Sequence, residues 1–202
     1  MDNRLEKLEE IVKKIMGNEF AHGYPHVERV MRYANKIIEM EEITVDRELL
    51  TIGILLHDVG RIVGEPHAYY SSIIARGLLA SMGYSQEFIR RVENIILYHS
   101  FSYSRKHGIK PETIEAHVLS DADKLDALGT IGVLRVAYYS CIHGRSLGET
   151  IRHFDEKILR LKDILYFESS RRMAEELTRR VKLFRDWLID EYYNLYGIYP
   201  NI

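Results

Sequence analysis

The sequence predicts an all-α fold, and three observations predict it. Apolar residues recur at intervals of three and four along most of the chain. No stretch alternates with the period of a strand. Proline, glycine and aspartate fall where such helices would begin and end. The pattern resolves into roughly eight to nine helices within a single domain, 1–202, without internal repeat, low-complexity tract or linker.

Leu5, Leu8, Val12, Ile15 and Met16 form the first apolar stripe, stopped by Gly17. A second helix runs from Pro25 to about Met40 with Val27, Val30, Tyr33, Ala34 and Ile37 inward. Asp46 is placed to cap a third, Arg47–Val59, which is apolar on nearly every side and therefore central; Gly60 is placed to end it. Further helices are expected at about His67–Met82, Gln86–His99, Glu112–Leu128, Ile131–Cys141, Glu149–Leu165 and Glu168–Tyr193. Pro25, Pro66 and Pro111 each stand where a helix begins, a position that tolerates the missing N–H. Between them, "YSRKHGIK" (103–110) reads as a basic loop.

Bulk composition narrows the function classes. With 46% hydrophobic and 29% charged residues the chain has an ordinary globular balance, and a net charge of −2 gives no nucleic-acid footprint. The lone Cys141 cannot form an internal disulfide, so a reducing, cytoplasmic setting is expected. No segment approaches the roughly 18 continuous apolar residues of a membrane span. The opening "MDNRLEKLEEIVKKIM" reads as a charged amphipathic helix rather than a signal peptide. The aromatic-rich final helix, with Trp187, Leu188, Tyr192, Tyr193 and Tyr196, suits either a core cover or a homodimer seam.

One stretch conflicts with its surroundings. In "LLHDVG" (55–60) a histidine and an aspartate stand side by side inside an apolar run, where unpartnered polar groups cost a few kcal/mol each. The same oddity recurs in "AHVLSDADKLDALGTIG", where Asp121, Asp123 and Asp126 interrupt small and apolar residues, and Asp123 and Asp126 share a face. His26, His67 and His99 are further polar residues in or beside apolar helices. His107, His117, His143 and His153 read as ordinary surface or hydrogen-bonded histidines. A mixed set of imidazoles and carboxylates suits Mn, Fe, Co, Ni or Zn, and Mg less well; no thiol cluster argues for a cysteine site.

His26, the His57-Asp58 doublet and a distant aspartate match the H…HD…D signature, and the chain resembles the HD-domain superfamily of metal-dependent phosphohydrolases. "HGYPHVERV" (22–30), "LLHDVGR" (55–61), "DADKLDALGTIG" (121–132), "HFDEKILRLKD" (153–163) and "ESSRRMAEELTRRVKLF" resemble small single-domain bacterial and archaeal members in the same order, over nearly the whole chain. The resemblance implies a helical bundle with a ligand-bearing core at about 20–130 and the helices of 131–202 packed on it. It also implies a divalent ion held by His26, His57, Asp58 and Asp123, with Asp58 orienting the attacking water. The position it matches is Asp123, not Asp121 or Asp126.

The resemblance leaves two extra histidines. Some members hold a second metal with histidines downstream of the doublet, but His67 follows Asp58 by only nine residues, so one ion is favoured over two. His67 and His99 are then expected as acid–base or phosphate-facing groups. His22, Arg61, Lys124 and Lys157 are weaker candidates for substrate contact, and Asp126 for a partner of a ligand histidine or of Lys124.

The function so implied is hydrolysis of a small phosphorylated molecule, with nucleotides the usual suggestion: phosphomonoester, phosphodiester, or pyrophosphate release from a nucleoside triphosphate. Acid–base catalysis alone supplies about 10²–10⁴ in rate, while phosphate-ester hydrolysis needs far more, which is the chemical reason for a metal. The alternatives are a diiron oxygenase, which needs His67 and His99 as ligands, and a non-catalytic nucleotide-binding regulator.

Overall fold

A computed structural model of the protein describes residues 3–199, which contain ten α-helices, two 3-10 segments and no strand. All-helical architecture is as expected; the count exceeds the eight to nine predicted because one expected loop is helical. The chain divides into two compact units, 1–123 and 124–202.

In the first unit, α1 (Asn3–Met16) ends ahead of Gly17 and α2 (Tyr24–Glu41) carries Pro25 in its first turn. The third helix, α3 (Arg47–Leu56), is capped by Asp46, whose carboxylate accepts from the Leu49 N–H at 3.0 Å. It packs against α1, α2, α4 and α5, and Leu49, Ile52, Ile54 and Leu56 are wholly buried, which is why its sequence is apolar on every side.

This helix stops at Leu56, three residues before the expected Val59, and the chain continues into a 3-10 turn, Val59–Ile62. Gly60 therefore does not end the helix. A Cβ there would lie 2.3 Å from the Ser71 nitrogen and 2.4 Å from the His67 carbonyl oxygen, so the glycine is what lets this turn press on α4.

Two antiparallel helices follow, α4 (His67–Ser81) and α5 (Gln86–His99), the latter with Ser85 as its cap. The expected basic loop is instead a short helix, α6 (Phe101–His107), closed by Gly108. Next, α7 (Ile114–Asp126) begins later than Pro111 suggests. The Glu112 N–H is taken by the Asn94 side chain at 2.9 Å and its carboxylate by Arg90 at 2.6 Å, so residues that could have opened the helix are fixed to α5 instead.

The second unit contains α8 (Gly129–Ile142), α9 (Leu147–Glu156), a 3-10 segment (Ile158–Ile164) and α10 (Glu168–Tyr196). A Ser146–Glu149 capping box opens α9. The single helix expected over 149–165 breaks at Lys157, whose φ of −121° leaves the helical region. Buried Val133, Val136, Phe154, Ala174 and Val181 form this unit's core. On α10, Trp187, Tyr193 and Tyr196 are exposed rather than covering it. No single helix among the described residues is long and apolar enough to cross a membrane.

Candidate metal centre

Four helix ends and one helix face of the first unit converge on Asp58. His26 comes from the first turn of α2. His57 is the C-terminal cap of α3, with Asp58 one residue beyond at φ −113° and ψ 2°. His67 opens α4, His99 closes α5, and Asp123 projects from α7. The doublet thus lies just past the end of the central helix, where the break at Leu56 frees both side chains to turn into the site.

Each oxygen of Asp58 faces its own pair of histidines. His26 Nε2 and His57 Nε2 lie 3.5 and 3.8 Å from Oδ2, and 3.2 Å from each other. His67 Nε2 and His99 Nε2 lie 3.4 and 3.8 Å from Oδ1. Asp123 Oδ1 completes the first group, 3.4 Å from His26 Nε2. His26, His57, Asp58 and His99 are buried, and Asp123 retains 26% side-chain exposure, the wet side of the centre.

Three of the four imidazoles are pinned through Nδ1. His57 Nδ1–H donates to the Ile54 carbonyl at 2.8 Å, His99 Nδ1–H to the Ile96 carbonyl, and His67 Nδ1–H to the Glu65 carboxylate at 3.0 Å. A neutral ring that donates through Nδ1 presents a lone pair at Nε2, and all three Nε2 atoms point at Asp58. Burial pushes the His57 pKa down, and burial with neighbouring His57 takes His99 down to about 3, so both rings stay neutral donors of electron pairs. Burial alone would raise Asp58, but the Arg61 guanidinium and the surrounding histidines hold its carboxyl well below the usual range. Burial opposes ionisation of Asp123 too, yet the hydrogen bond from His26 keeps it low.

Two observations say that this set fits a cation. His26, His57 and Asp58 offer donor atoms all within 4.8 Å of one another, as do Asp58, His67 and His99. Asp58 Oδ1 is also buried without a hydrogen-bond partner, a costly state for a carboxylate oxygen unless a cation faces it. The short interval from Asp58 to His67 does not keep that histidine away, because the Gly60 turn folds the start of α4 back onto the doublet.

Arg61 joins the site, its Nε 2.5 Å from Asp58 Oδ2. His22 lies in the turn before α2, its Nδ1 3.9 Å from Glu19. Lys124, Asp126 and Lys157 belong to the second unit. There Lys124 is buried, Lys157 is exposed, and Asp126 forms a buried 2.9 Å ion pair with Arg135, a partner the sequence reading did not name. Glu65, which orients His67, was also missed, although a carboxylate just ahead of a histidine at a helix start ("EPH") is a readable signal.

The HD domain family profile matches residues 23–128, which contain every group at this centre. The chain belongs to the HD domain family. Among relatives, the uncharacterised protein YpgQ of Bacillus subtilis is 31% identical over 176 residues, covering 85% of each chain. A crystal structure of YpgQ in complex with ADP aligns to this HD protein with a TM-score of 0.72 and 24% identity, covering 93% of this chain and 94% of that one. A Lactobacillus plantarum structure reaches 0.81 at 23% identity, covering 96% and 99%. An HD-superfamily hydrolase of Bacillus thuringiensis aligns at 0.66 and 27%, covering 94% and 96%.

Proposed function

We propose that this HD protein is a divalent-metal-dependent phosphohydrolase acting on a nucleotide. One observation carries the reading: Asp58 has one oxygen toward His26 and His57, while the other is buried without a hydrogen-bond partner. His26, His57, Asp58 and Asp123 would hold the ion. A divalent cation in such a site supplies Lewis-acid chemistry, lowering the pKa of water and neutralising phosphate oxygens.

The chain's own groups divide the remaining work. Asp58, kept ionised by Arg61 and the histidines, is a hydrogen-bond acceptor that orients an attacking water. His67, held through Nδ1 by Glu65 and 14% exposed at its side chain, would take the attacking water's proton on its Nε2 lone pair and then give it to the leaving oxygen. His99, buried and neutral, shapes the wall beside it. The guanidinium of Arg61, 29% exposed, supplies donors to phosphate oxygens at the rim. The nucleotide is suggested by the ADP bound to YpgQ, which is 31% identical to this chain.

The test is phosphate or pyrophosphate release from nucleoside mono-, di- and triphosphates by chelator-stripped protein, with Mn, Co, Ni, Fe, Zn or Mg added back singly. Metal-dependent turnover that disappears in His26→Ala and Asp123→Ala is expected. Nucleotide binding without turnover under every metal would leave a regulator instead.

A second reading is favoured by the Asp58–His67–His99 group, which offers a second ion three donor atoms. Two equivalents of iron, falling in His67→Ala or His99→Ala, would support a diiron oxygenase; about one equivalent in all variants supports the single-ion hydrolase.

A further inference from the structure

The last helix leaves one face uncovered. On α10, Ala174, Thr178, Val181 and Ile189 are buried against the rest of the second unit, and Arg185 on the same side meets Asp155 at 2.7 Å. About 180° round the helix, at 100° per residue, runs a row of exposed side chains: Glu176, Arg180, Leu183, Trp187, Asp190 and Asn194. Steps of four and three alternate along it, the spacing of a coiled-coil seam.

The middle of the row is apolar. Trp187 is 65% exposed and Leu183 37%, and Phe184 and Leu195 are exposed along the edge. Large apolar side chains gathered on one solvent-facing stripe mark a surface that another molecule covers.

Charge decides which molecule. Arg180 stands one turn before the apolar centre and Asp190 one turn after it. A parallel copy of this helix would set Arg180 against Arg180 and Asp190 against Asp190. An antiparallel copy, with the twofold axis level with Arg185, sets Arg180 against the partner's Asp190 and Leu183 against the partner's Trp187. Glu176 then faces the partner's Asn194, and every contact occurs twice, as an isologous interface requires. Like charges meet nowhere along the row. Arg180 engages its own Glu176 through Nε at 3.1 Å, which leaves the Nη donors for a second carboxylate. Asp186, beside the axis, is paired within its own chain to Arg185 at 2.9 Å.

We propose that this face of α10 joins a second copy of the chain in an antiparallel helix pair centred on Leu183 and Trp187. The proposal is independent of the nucleotide reading. The row spans about 28 Å of helix and is polar at both ends, so the interface is a small one and the dimer forms with rising concentration.

The experiment follows the full chain by sedimentation velocity from about 1 to 300 µM, recording in parallel the emission of Trp187, the one tryptophan of the sequence. Dimerisation is expected, with the emission moving to shorter wavelength in step as the indole leaves water. Arg180→Asp and Asp190→Arg should each raise the dimer Kd about tenfold or more, and the double variant should recover it. Recovery is specific to the antiparallel register, because in a parallel pair the double exchange still sets like charges face to face. Should a variant lose helix content by circular dichroism, the wild-type emission answers alone: a dimer that leaves it unmoved overturns the proposal. A chain that stays monomeric across the range, or a dimer indifferent to both single exchanges, overturns it too. So does a monomer whose emission shifts only on adding phosphatidylcholine vesicles, which would give this face to a lipid surface.

Discussion

Arg61 Nε lies 2.5 Å from Asp58 Oδ2, so a guanidinium sits on the carboxylate around which the centre is built. It compensates one oxygen of a buried acid and leaves the other without a hydrogen-bond partner. Arg61 follows Asp58 by one 3-10 turn, its N–H donating to the Asp58 carbonyl at 3.0 Å, so the pairing is set by the backbone. Replacing Arg61 by Gln should destabilise the metal-free protein by about 1–2 kcal/mol, less than for a fully buried pair because Arg61 is 29% exposed. The rise in Tm on adding Mn should accordingly be larger in the variant than in wild type. Equal rises in differential scanning fluorimetry would argue that Arg61 and the cation do not share Asp58.

The carboxylate of Glu65 holds His67, and the Glu65 side chain is 69% exposed, so its removal should leave the fold intact. Glu65→Gln is expected to lower kcat on the order of tenfold, the low end for a group that orients a ligand or catalytic histidine, while KM changes little. An unchanged kcat would make Glu65 a cap for α4 and nothing more.

Gly60 links packing to chemistry. In Gly60→Ala the added methyl meets backbone atoms of α4 at 2.3 and 2.4 Å, neither of which can rotate away. Relief requires the turn and the start of α4 to separate, carrying His67 from Asp58. A loss of about 1–3 kcal/mol in denaturant unfolding is expected from overpacking, together with weaker metal binding. Gly77→Ala, inside α4 with nothing within 4 Å, is the control and should stabilise by about 0.5–1 kcal/mol, the usual gain of alanine over glycine inside a helix.

The pH dependence of the stripped protein has a definite sign. His99 and His57 have lowered pKa values in the folded chain, His99 at about 3, whereas unfolded imidazoles titrate near 6.5. Below pH 6.5 the unfolded state therefore binds more protons, and stability present above 6.5 is lost progressively as the pH falls toward 3. His153 in the second unit, brought down to about 4 by burial and then by Lys157 and Arg145, acts in the same direction. Asp58, also lowered, adds its loss only below the ordinary carboxylate range near 3.8. Thermal melts from pH 7.5 to 4 should show a steady fall in Tm, flatter in His99→Asn. A fall confined below pH 4 would contradict these neutral histidines.

Much of this was legible in the sequence because it is encoded locally. Periodicity placed the helices, and caps that act within one turn placed some of their starts. Gln86–His99 begins after Ser85 as expected, and Asp46 caps α3. The conflict of two polar residues inside "LLHDVG" marked the centre, because an unpartnered pair in an apolar run is too costly to be incidental.

What tertiary structure alone decided are the relationships between distant residues. The early stop of α3, the fixing of Glu112 to α5 and the break at Lys157 each depend on neighbours or backbone geometry that no local pattern reports. His26 and His57, 31 positions apart, meet at 3.2 Å. The nine-residue step from Asp58 to His67 looks too short for a shared site until the Gly60 turn is seen to reverse the chain. Helical period is fixed by hydrogen bonds four residues long and can be read from spacing. Which carboxylate oxygen faces which imidazole is fixed by how separate helices pack, and only the fold specifies that.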